Sequence, residues 1–237
     1  MTETELRQKV VSTAEAWLGT REYSDRHYEM LAIYNAQSPL PRGTRMQATW
    51  PWCAAFVSTV SLQCGLRDIM PTECGCPGMV RLYQELGRWV EDDAYTPSPG
   101  DVIFYDWQDS GVGDNAGQPD HVGIVTACDG QTMTIIEGNC DNAVKTRSLA
   151  VNARFIRGYG CPDYASRADG AEPTPTPAPT PTPEPEKPAE ATVDPFVTKT
   201  AREVIAGKWG NGQARKDALA AWFTKAVQDE VNRILGG

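Results

Sequence analysis

Four residues of this chain combine the types that nucleophilic catalysis requires. Cys53 follows Trp52 and opens an apolar run, and His121 lies 68 residues further on in the stretch Asp-His-Val-Gly-Ile-Val. Glu137 and Asn139 then close the stretch Ile-Glu-Gly-Asn. A thiolate can attack an amide carbonyl, a histidine can take and return the proton, and a third group can orient the imidazole. The set predicts a cysteine hydrolase, with an inert buried thiol and a structural histidine as the alternative.

The element that follows Cys53 bears on the reactivity of its thiol. The apolar run after Pro51 predicts a helix over 53–64, with the thiol at its N-terminus. At that end the helix dipole and the unpaired N–H groups favour a thiolate. The same N–H groups can hold the oxyanion of a tetrahedral intermediate. The position of Cys53 therefore favours the catalytic interpretation over the inert one.

A predicted hairpin must bring His121 and its orienting group to one face of a sheet. Asp129-Gly130 lies between two apolar runs and predicts the turn. A strict two-residue turn there would put His121 and Glu137 on opposite faces, because side chains alternate along a strand. A loop of odd length or one bulge would pair His121 with Asn139 and put Glu137 on the same face. The catalytic hypothesis therefore requires an odd loop or a bulge.

The chain is expected to have three parts. Proline recurs at alternate positions through residues 173–185, which forbids a helix and favours an extended polyproline linker. Before the linker, helical patterns are followed by strand patterns, an order typical of an α+β fold with N-terminal helices and an antiparallel sheet. After it, three short helices are predicted. The predicted parts are a catalytic domain at 1–168, a Pro/Thr-rich linker at 169–195 and a small three-helix bundle at 196–237.

Hydrophobic periodicity places further elements in the first part. The second histidine of the chain, His27, falls in a helical stretch and is expected to be a surface or capping residue. Helices are predicted over 3–18, 26–36, 53–64 and 78–87, and strands over 102–105, 121–127, 132–137 and 154–159.

Composition limits the partners of the chain. Its formal net charge is −9, and the acidic excess lies before the mildly basic C-terminal part, which argues against nucleic acid as the main partner. The N-terminus lacks the apolar core of a signal peptide, and no stretch approaches the roughly 20 apolar residues of a membrane span. We therefore expect a cytoplasmic location, no membrane embedding and mostly free thiols among the seven cysteines. We also expect a monomer without a cofactor.

Four stretches, in their order and spacing, match a known family: Trp52–Val57, Pro99–Phe104, Asp120–Val125 and Ile136–Asn139. Through them, residues 1–165 closely resemble CHAP domains, the cysteine- and histidine-dependent amidohydrolases/peptidases of phage and prophage endolysins. The resemblance implies a papain-like α+β fold that cleaves amide bonds of peptidoglycan. It also implies that Cys53 is the nucleophile, His121 the base, and Glu137 and Asn139 the orienting groups.

Motifs near the C-terminus match a known repeat: Ala201–Gly212, Arg215-Lys216 and Ala226–Asn232. Through them, residues 197–235 resemble the CW-seven cell-wall-binding repeat of phage lysozymes, which implies a three-helix module that recognises muropeptide. Trp209, Asn211 and Arg215 are the candidate substrate-binding residues, although Trp209 could equally be the core anchor of a small domain. The chain departs from the repeat at residues 221–224, which leaves the detail of the ligand pocket open.

A calcium site is the metal alternative. Acidic and amide side chains cluster in one Gly-rich loop, and oxygen-rich loops can bind calcium, as some CHAP domains do. The spacing is not that of an EF-hand, so solvated loop acids are the default interpretation and no metal site is predicted. The residues concerned are Asp106, Asp109, Asp114, Asn115 and Asp120.

Together these features predict a modular peptidoglycan hydrolase, a phage or prophage endolysin that stays in the cytoplasm until lysis and then acts on the wall. The favoured bond is the amide between the lactyl group of the sugar and L-alanine. A peptide bond of the stem or cross-bridge is the alternative, because both bonds are amides and the chemistry is the same. An alternative of another class is a cell-wall-binding protein with a degenerate catalytic domain.

Overall fold

The computed structural model describes residues 1–92, 95–108 and 117–169. The predicted three-helix bundle, and all but the first residue of the predicted linker, lie outside these ranges. The described residues therefore cover most of the domain that the sequence predicts at 1–168. Within them, no helix is both long enough and apolar enough to cross a lipid bilayer.

Four α-helices occupy the first half of the described chain. All four predicted helices are found, and the third has the predicted bounds. The first begins with a capping box between Thr2 and Glu5, and it ends before 18 because the chain turns towards Gly19, which has a φ of 77°. The helices are α1 (Glu3–Glu15), α2 (Asp25–Asn35), α3 (Cys53–Cys64) and α4 (Cys76–Glu85), with 3-10 turns at Pro41–Gly43 and Tyr164–Arg167.

The central helix of the domain is α3. It is apolar around its whole circumference, and residues 53–61 are all buried. The helices α1 and α2 pack on one side of it, and strands of the sheet pack on the other. A helix that is apolar all round is stable when it is enclosed. The sequence therefore places Cys53 at the edge of the core rather than on an open surface.

The second half of the described chain forms an antiparallel sheet. Its six strands lie in the order β1-β6-β2-β3-β4-β5, and each pair of neighbours is antiparallel. The predicted α+β class is confirmed, and the four predicted strands are found. β1 and β5, at the two edges, were not predicted. The strands are β1 (Trp89–Val90), β2 (Val102–Tyr105), β3 (His121–Cys128), β4 (Thr132–Cys140), β5 (Ala143–Ala150) and β6 (Ile156–Gly160).

The middle of the sheet is buried on both faces. Val102 and Phe104 of β2 belong to the core that contains α3, whereas Ile103 and Tyr105 belong to a second apolar cluster. This alternation is the period of two that a strand imposes on its side chains. Side chains at the ends of β3 and β4 can therefore combine a buried setting with access to the start of α3.

The hairpin between β3 and β4 has the bulge that the catalytic hypothesis requires. Its two-residue turn lies at Gly130-Gln131, one residue later than predicted, because the Asp129 N–H pairs with the Thr132 carbonyl (3.1 Å). The register then shifts between Val125 and Ala127. Beyond the shift, Gly123 pairs with Glu137, so the numbers of opposed residues sum to 260. In that register His121 and Glu137 lie on the same face.

His27 is not a surface residue, so the expected exposure was wrong, although its side chain does cap the start of α2. It lies in α2, its side chain is fully buried, and its Nδ1 accepts a hydrogen bond from the Tyr23 N–H (3.0 Å). Its ring packs against Trp52, with the centroids 4.8 Å apart. The cause is that α2 presents this face to the start of α3. Burial lowers the pKa of His27, which keeps it neutral.

Candidate active site

Cys53 is the first residue of α3. The preceding Trp52 adopts a non-helical conformation, and its side chain makes no capping hydrogen bond to the first N–H groups of the helix. The Ala54 N–H interacts with the Cys53 sulfur, which favours the thiolate. The start of α3 therefore offers a partly positive environment to the sulfur and to any anion beside it.

Gly138 brings strand β4 against this end of α3. A Cβ at this position would lie 2.4 Å from the Phe56 Cβ and 3.0 Å from the Trp52 ring, so only glycine fits without movement. Gly123 has a similar role on the other face, where a Cβ would lie 2.9 Å from the Glu137 Cγ. The two glycines allow the strand that carries Glu137 to lie close to both neighbours.

His121 and Glu137 form a direct contact at the end of the hairpin. Nε2 of His121 lies 3.2 Å from Oε2 of Glu137, and the Glu137 side chain is completely buried. A carboxylate can only accept, so Nε2 carries the proton and Nδ1 remains for the thiol. The imidazole stacks on Tyr105, with the centroids 5.7 Å apart. Glu137 thus fixes both the tautomer and the orientation of the ring.

Arg147 holds the other side of the same carboxylate. Its Nε and Nη2 donate to Oε1 (2.7 Å) and Oε2 (2.9 Å) of Glu137. Its guanidinium also lies over the Trp107 ring, 4.9 Å from the centroid. A bidentate pair of this kind fixes the carboxylate in both position and plane. Sequence reasoning missed Arg147, because it lies on β5, where burial does not alternate cleanly and no local pattern links the residue to Glu137.

The charges of the site stabilise one another. Burial would raise the pKa of Glu137, but His121 and Arg147 hold it at about 2. Burial would lower the pKa of His121, but Cys53 and Glu137 raise it to about 9. The pKa of Cys53 falls to about 5, first through its contact with Cys76, against the effect of burial, and further through His121. Between these values the favoured state is a thiolate beside an imidazolium.

A second thiol lies next to Cys53. Sγ of Cys76, the first residue of α4, is 3.7 Å from Sγ of Cys53. The Gly75 cap of α4 provides no side chain, so a second helix N-terminus meets the site. The pKa of Cys76 is raised by its proximity to Cys53 and by burial, so this thiol keeps its proton. Sequence analysis gave Cys76 no role of its own, because nothing local indicates that it meets Cys53.

A shallow cleft of about 280 Å³ opens at the two thiols. Most of its lining is apolar, with one carboxylate, that of Asp120. Trp50 stands at the cleft with 39% of its surface exposed. The two sulfurs therefore line an open cleft rather than a closed cavity. The lining residues are Trp50, Pro51, Cys53, Cys74, Gly75, Cys76, Pro77, Pro119 and Asp120.

The structure brings three of the four predicted catalytic residues together. Cys53, His121 and Glu137 interact directly or through one another. Asn139 lies where β4 departs from β5, with a φ of 57°, and among the described residues its side chain makes no hydrogen bond to His121. An orienting role of Asn139 stays a prediction. Trp209, Asn211 and Arg215 lie outside the described residues.

Of the five oxygen-bearing side chains considered for calcium, the structure describes two, Asp106 and Asp120. Asp106 accepts hydrogen bonds from the N–H groups of Gln108 and Gln118, both 3.0 Å long. Asp120 accepts from the Trp107 N–H at 3.2 Å. Asp109, Asp114 and Asn115 lie outside the described residues. Within residues 1–92, 95–108 and 117–169, no group of three or more histidine, cysteine or acidic side chains is arranged to hold a metal ion.

The fold and the site define a class of protein: an α+β domain in which a helix-borne thiol faces a histidine held by a buried carboxylate. Comparison with protein families agrees, because residues 44–139 match the CHAP domain and residues 199–235 match the CW_7 repeat. No curated protein and no solved structure matches the chain. The chain thus carries a CHAP domain, which implies a peptidoglycan hydrolase of amidase or peptidase type, together with a cell-wall-binding repeat.

Proposed function

We propose that the chain is an N-acetylmuramoyl-L-alanine amidase that uses Cys53 as its nucleophile. The observation that carries this proposal is the continuous set of contacts from Arg147 through Glu137 and His121 to Cys53. Each contact favours a thiolate at the start of a helix, which is the state that attacks an amide carbonyl.

The geometry suggests the order of the bond changes. The Cys53 sulfur attacks the lactyl carbonyl carbon, and the N–H groups at the start of α3 hold the resulting oxyanion. The His121 imidazolium gives its Nδ1 proton to the amine of L-alanine, and the C–N bond breaks. His121 then takes a proton from water, and the hydroxide attacks the thioester. The C–S bond breaks, and the thiolate is restored.

Glu137 and Arg147 act as positioning residues in this scheme. Glu137 holds the Nε2 side of the imidazole, so the Nδ1 side stays directed at the sulfur and the leaving amine. Arg147 pairs with the buried carboxylate of Glu137, so the core does not contain an unpaired negative charge. The same pair keeps the carboxylate plane fixed while the charge of His121 changes during turnover.

The exposed Trp50 supports an amidase over an endopeptidase. The amide between the lactyl group and L-alanine is the stem bond nearest the glycan, so a sugar ring must lie close to Cys53 during its cleavage. Trp50 offers an aromatic surface for that ring at the edge of the cleft. An endopeptidase would have peptide on both sides of the cut bond and would have less use for this surface.

We further propose that the protein acts as an endolysin, held in the cytoplasm until a phage or prophage lysis programme gives it access to the wall. The CW_7 repeat supports this proposal, because a wall-binding segment on the same chain raises the local concentration of the hydrolase at its polymer.

Digestion of purified peptidoglycan, with mass spectrometry of the products, tests the bond. New N-terminal L-alanine on peptides free of glycan supports an amidase, whereas shortened or unlinked stems still attached to glycan mean an endopeptidase. Cys53→Ala should lose activity by about 10³-fold or more, and Cys128→Ser, at the far end of β3, is the matched thiol control. A wild-type protein that binds peptidoglycan and releases no fragment would favour the wall-binding alternative.

A further inference from the structure

The two thiols of the cleft are close enough to react with each other. Sγ of Cys53 and Sγ of Cys76 are 3.7 Å apart, and each residue is only 5% exposed. A disulfide bond is about 2.05 Å long, so the sulfurs need to approach by about 1.7 Å. Each thiol begins a helix, where rotation about χ1 and a small shift of the first turn can supply such a movement.

The segment before α4 is fastened to α3, so this proximity is built into the fold. The Ser58 hydroxyl on α3 donates to the Glu73 carbonyl (2.7 Å) and accepts from the Glu73 N–H (2.8 Å), and all these groups are buried. Arg42 binds the Glu73 carboxylate through Nε and Nη2, both at 2.8 Å. Cys76 follows three residues later. These hydrogen bonds fix the backbone just before Cys76 relative to α3, the helix that begins with Cys53.

The two thiols differ in the way that disulfide formation requires. His121 and the start of α3 stabilise the thiolate of Cys53, whereas Cys76 keeps its proton. A thiolate is the form that peroxides oxidise, and a nearby thiol is the group that resolves the product. The cleft at the two sulfurs admits a molecule as small as hydrogen peroxide.

We infer that Cys53 and Cys76 are a redox-modification site, in which a peroxide converts the pair into a disulfide that stops hydrolysis and a dithiol restores it. For its effect on activity the inference rests on the proposed role of Cys53 as nucleophile, whereas for the bond it rests on the closeness and the different protonation of the two thiols.

Oxidation proceeds in two steps. The Cys53 thiolate attacks one peroxide oxygen, an S–O bond forms and the O–O bond breaks. The departing hydroxide takes the proton of the His121 imidazolium and leaves as water. Cys53 is oxidised by two electrons to a sulfenic acid, and hydrogen peroxide is reduced. The Cys76 sulfur then attacks the Cys53 sulfur, an S–S bond forms, and the S–OH bond breaks. The departing hydroxide takes the Cys76 proton as a second water.

Reduction reverses the modification without loss of the nucleophile. One thiolate of a dithiol attacks the disulfide and forms a mixed disulfide, and the second thiol closes a ring and releases both cysteines. The dithiol is oxidised as the protein is reduced. Because the disulfide consumes the sulfenic acid, Cys53 is protected from the irreversible sulfinic state. Cys76 would therefore convert a permanent oxidative loss into a reversible one.

Cys74 is the rival partner and has a different environment. Its sulfur accepts a hydrogen bond from Arg42 Nη2 (3.5 Å), and burial raises the pKa of its thiol. Although Cys74 also lines the cleft, within the described residues its sulfur makes no contact with the Cys53 sulfur like the 3.7 Å approach of Cys76. Cys74 is therefore the matched control thiol.

The test exposes the reduced full chain to hydrogen peroxide, blocks free thiols and digests the chain with trypsin without reduction. We expect tryptic peptide 46–67, which holds Cys53 and Cys64, joined to peptide 68–81, which holds Cys74 and Cys76. Fragment ions should assign the link to Cys53 and Cys76. Activity should fall about tenfold or more and return with dithiothreitol. A link through Cys74, no link, or a loss that dithiothreitol does not reverse would overturn the inference.

Two variants sharpen the test, each compared with its own untreated sample. In Cys76→Ser, Cys53 should gain two oxygen atoms as sulfinic acid, and dithiothreitol should not restore activity. Cys74→Ser should keep the link and the recovery. Full recovery of Cys76→Ser would contradict the inference, and if this variant does not fold, the wild-type link still decides. If untreated wild type does not hydrolyse peptidoglycan, the proposed function fails, while the peptide link still tests the redox site.

Discussion

Replacing Arg147 with methionine removes two charge-assisted hydrogen bonds from Glu137 and leaves a side chain of similar reach. Loss of one partner of a buried ion pair costs about 3–5 kcal/mol. The Arg147 side chain is 32% exposed, so water replaces part of its role. We therefore expect the free energy of unfolding to fall by about 2 kcal/mol at neutral pH. This corresponds to a rise of about 1.5 in the pKa of Glu137.

The pH dependence of this loss identifies its cause. The pKa of Glu137 lies at about 2 in the folded chain, below its ordinary value of 4.5. The stability that the carboxylate supplies is therefore fully present above about pH 4.5 and is lost as the pH falls through about 2. In Arg147→Met the pKa is less depressed, so wild type and variant differ most at neutral pH and converge towards pH 2. A loss of packing alone would be the same at each pH.

Urea unfolding at pH 7 and pH 3, followed by tryptophan fluorescence, measures this difference on the full chain. Hydrolysis of peptidoglycan at pH 7 on the same samples should fall about tenfold, because the imidazole loses its fixed support. Arg147→Lys keeps the charge without the bidentate geometry and should lie between wild type and Arg147→Met. Equal stability losses at the two pH values, or wild-type activity in Arg147→Met, would refute the reasoning.

Further predictions concern the nucleophile, the packing of its helix and the cleft. The pH profile of kcat/KM on soluble muropeptides should be a bell with limbs near 5, where Cys53 gains a proton, and near 9, where His121 loses one; a flat profile across either limb would contradict the ion pair. Gly138→Ala places a Cβ 2.4 Å from the Phe56 Cβ, so it should lower the free energy of unfolding by about 1–3 kcal/mol and also lower kcat. Thermal unfolding measures the first effect and turnover of peptidoglycan the second. An unchanged Tm would mean that β4 can move to make room for the methyl group. Trp50→Ala should raise KM about tenfold with little change in kcat; kinetics on glycan-linked stems against free stem peptides check this, since an equal effect on both would exclude a contact with sugar.

The strongest local patterns predicted the elements that carry Cys53 and His121. The helix at 53–64 was predicted with its observed bounds, because a mainly apolar run lies between the helix breakers Pro51 and Gly65. The strand at 102–105 was predicted equally well, because a Pro-Gly turn precedes four apolar residues. The alternation of side chains along a strand then predicted an odd loop or a bulge, since with a regular two-residue turn at Asp129-Gly130 His121 and Glu137 could not share a face. The structure has the bulge.

The edge strands could not be predicted in the same way. β5 reads Ala-Val-Lys-Thr-Arg-Ser-Leu-Ala, and after its first two residues its burial is partial or absent. An edge strand pairs on one side only, so its sequence carries a weak apolar signal, and two cations weaken it further. Arg147, which pairs with the buried carboxylate of Glu137, lies on this strand, so hydrophobic periodicity could not predict its position.

His27 shows the opposite error, in which a polar residue was placed outside because its type is usually exposed. His27 is buried because its ring packs against Trp52, a large side chain next to the first turn of α3. The packing of two elements that are distant in sequence determined this side chain, and neither element indicates the contact alone.

The meeting of Cys53 and Cys76 depends on the same kind of long-range contact. The two residues are 23 apart in sequence, and what sets their distance is the pair of hydrogen bonds between Ser58 and the Glu73 backbone. In the sequence, Ser58 is only a small interruption of an apolar helix, yet its buried hydroxyl must form hydrogen bonds. Satisfying it fastens the start of α4 to α3 and so brings a second sulfur to the first. Ser58→Ala should therefore lower the yield of the Cys53–Cys76 link under peroxide, because the loosened segment no longer holds Cys76 in place, whereas an unchanged yield would show that the thiols meet without this fastening.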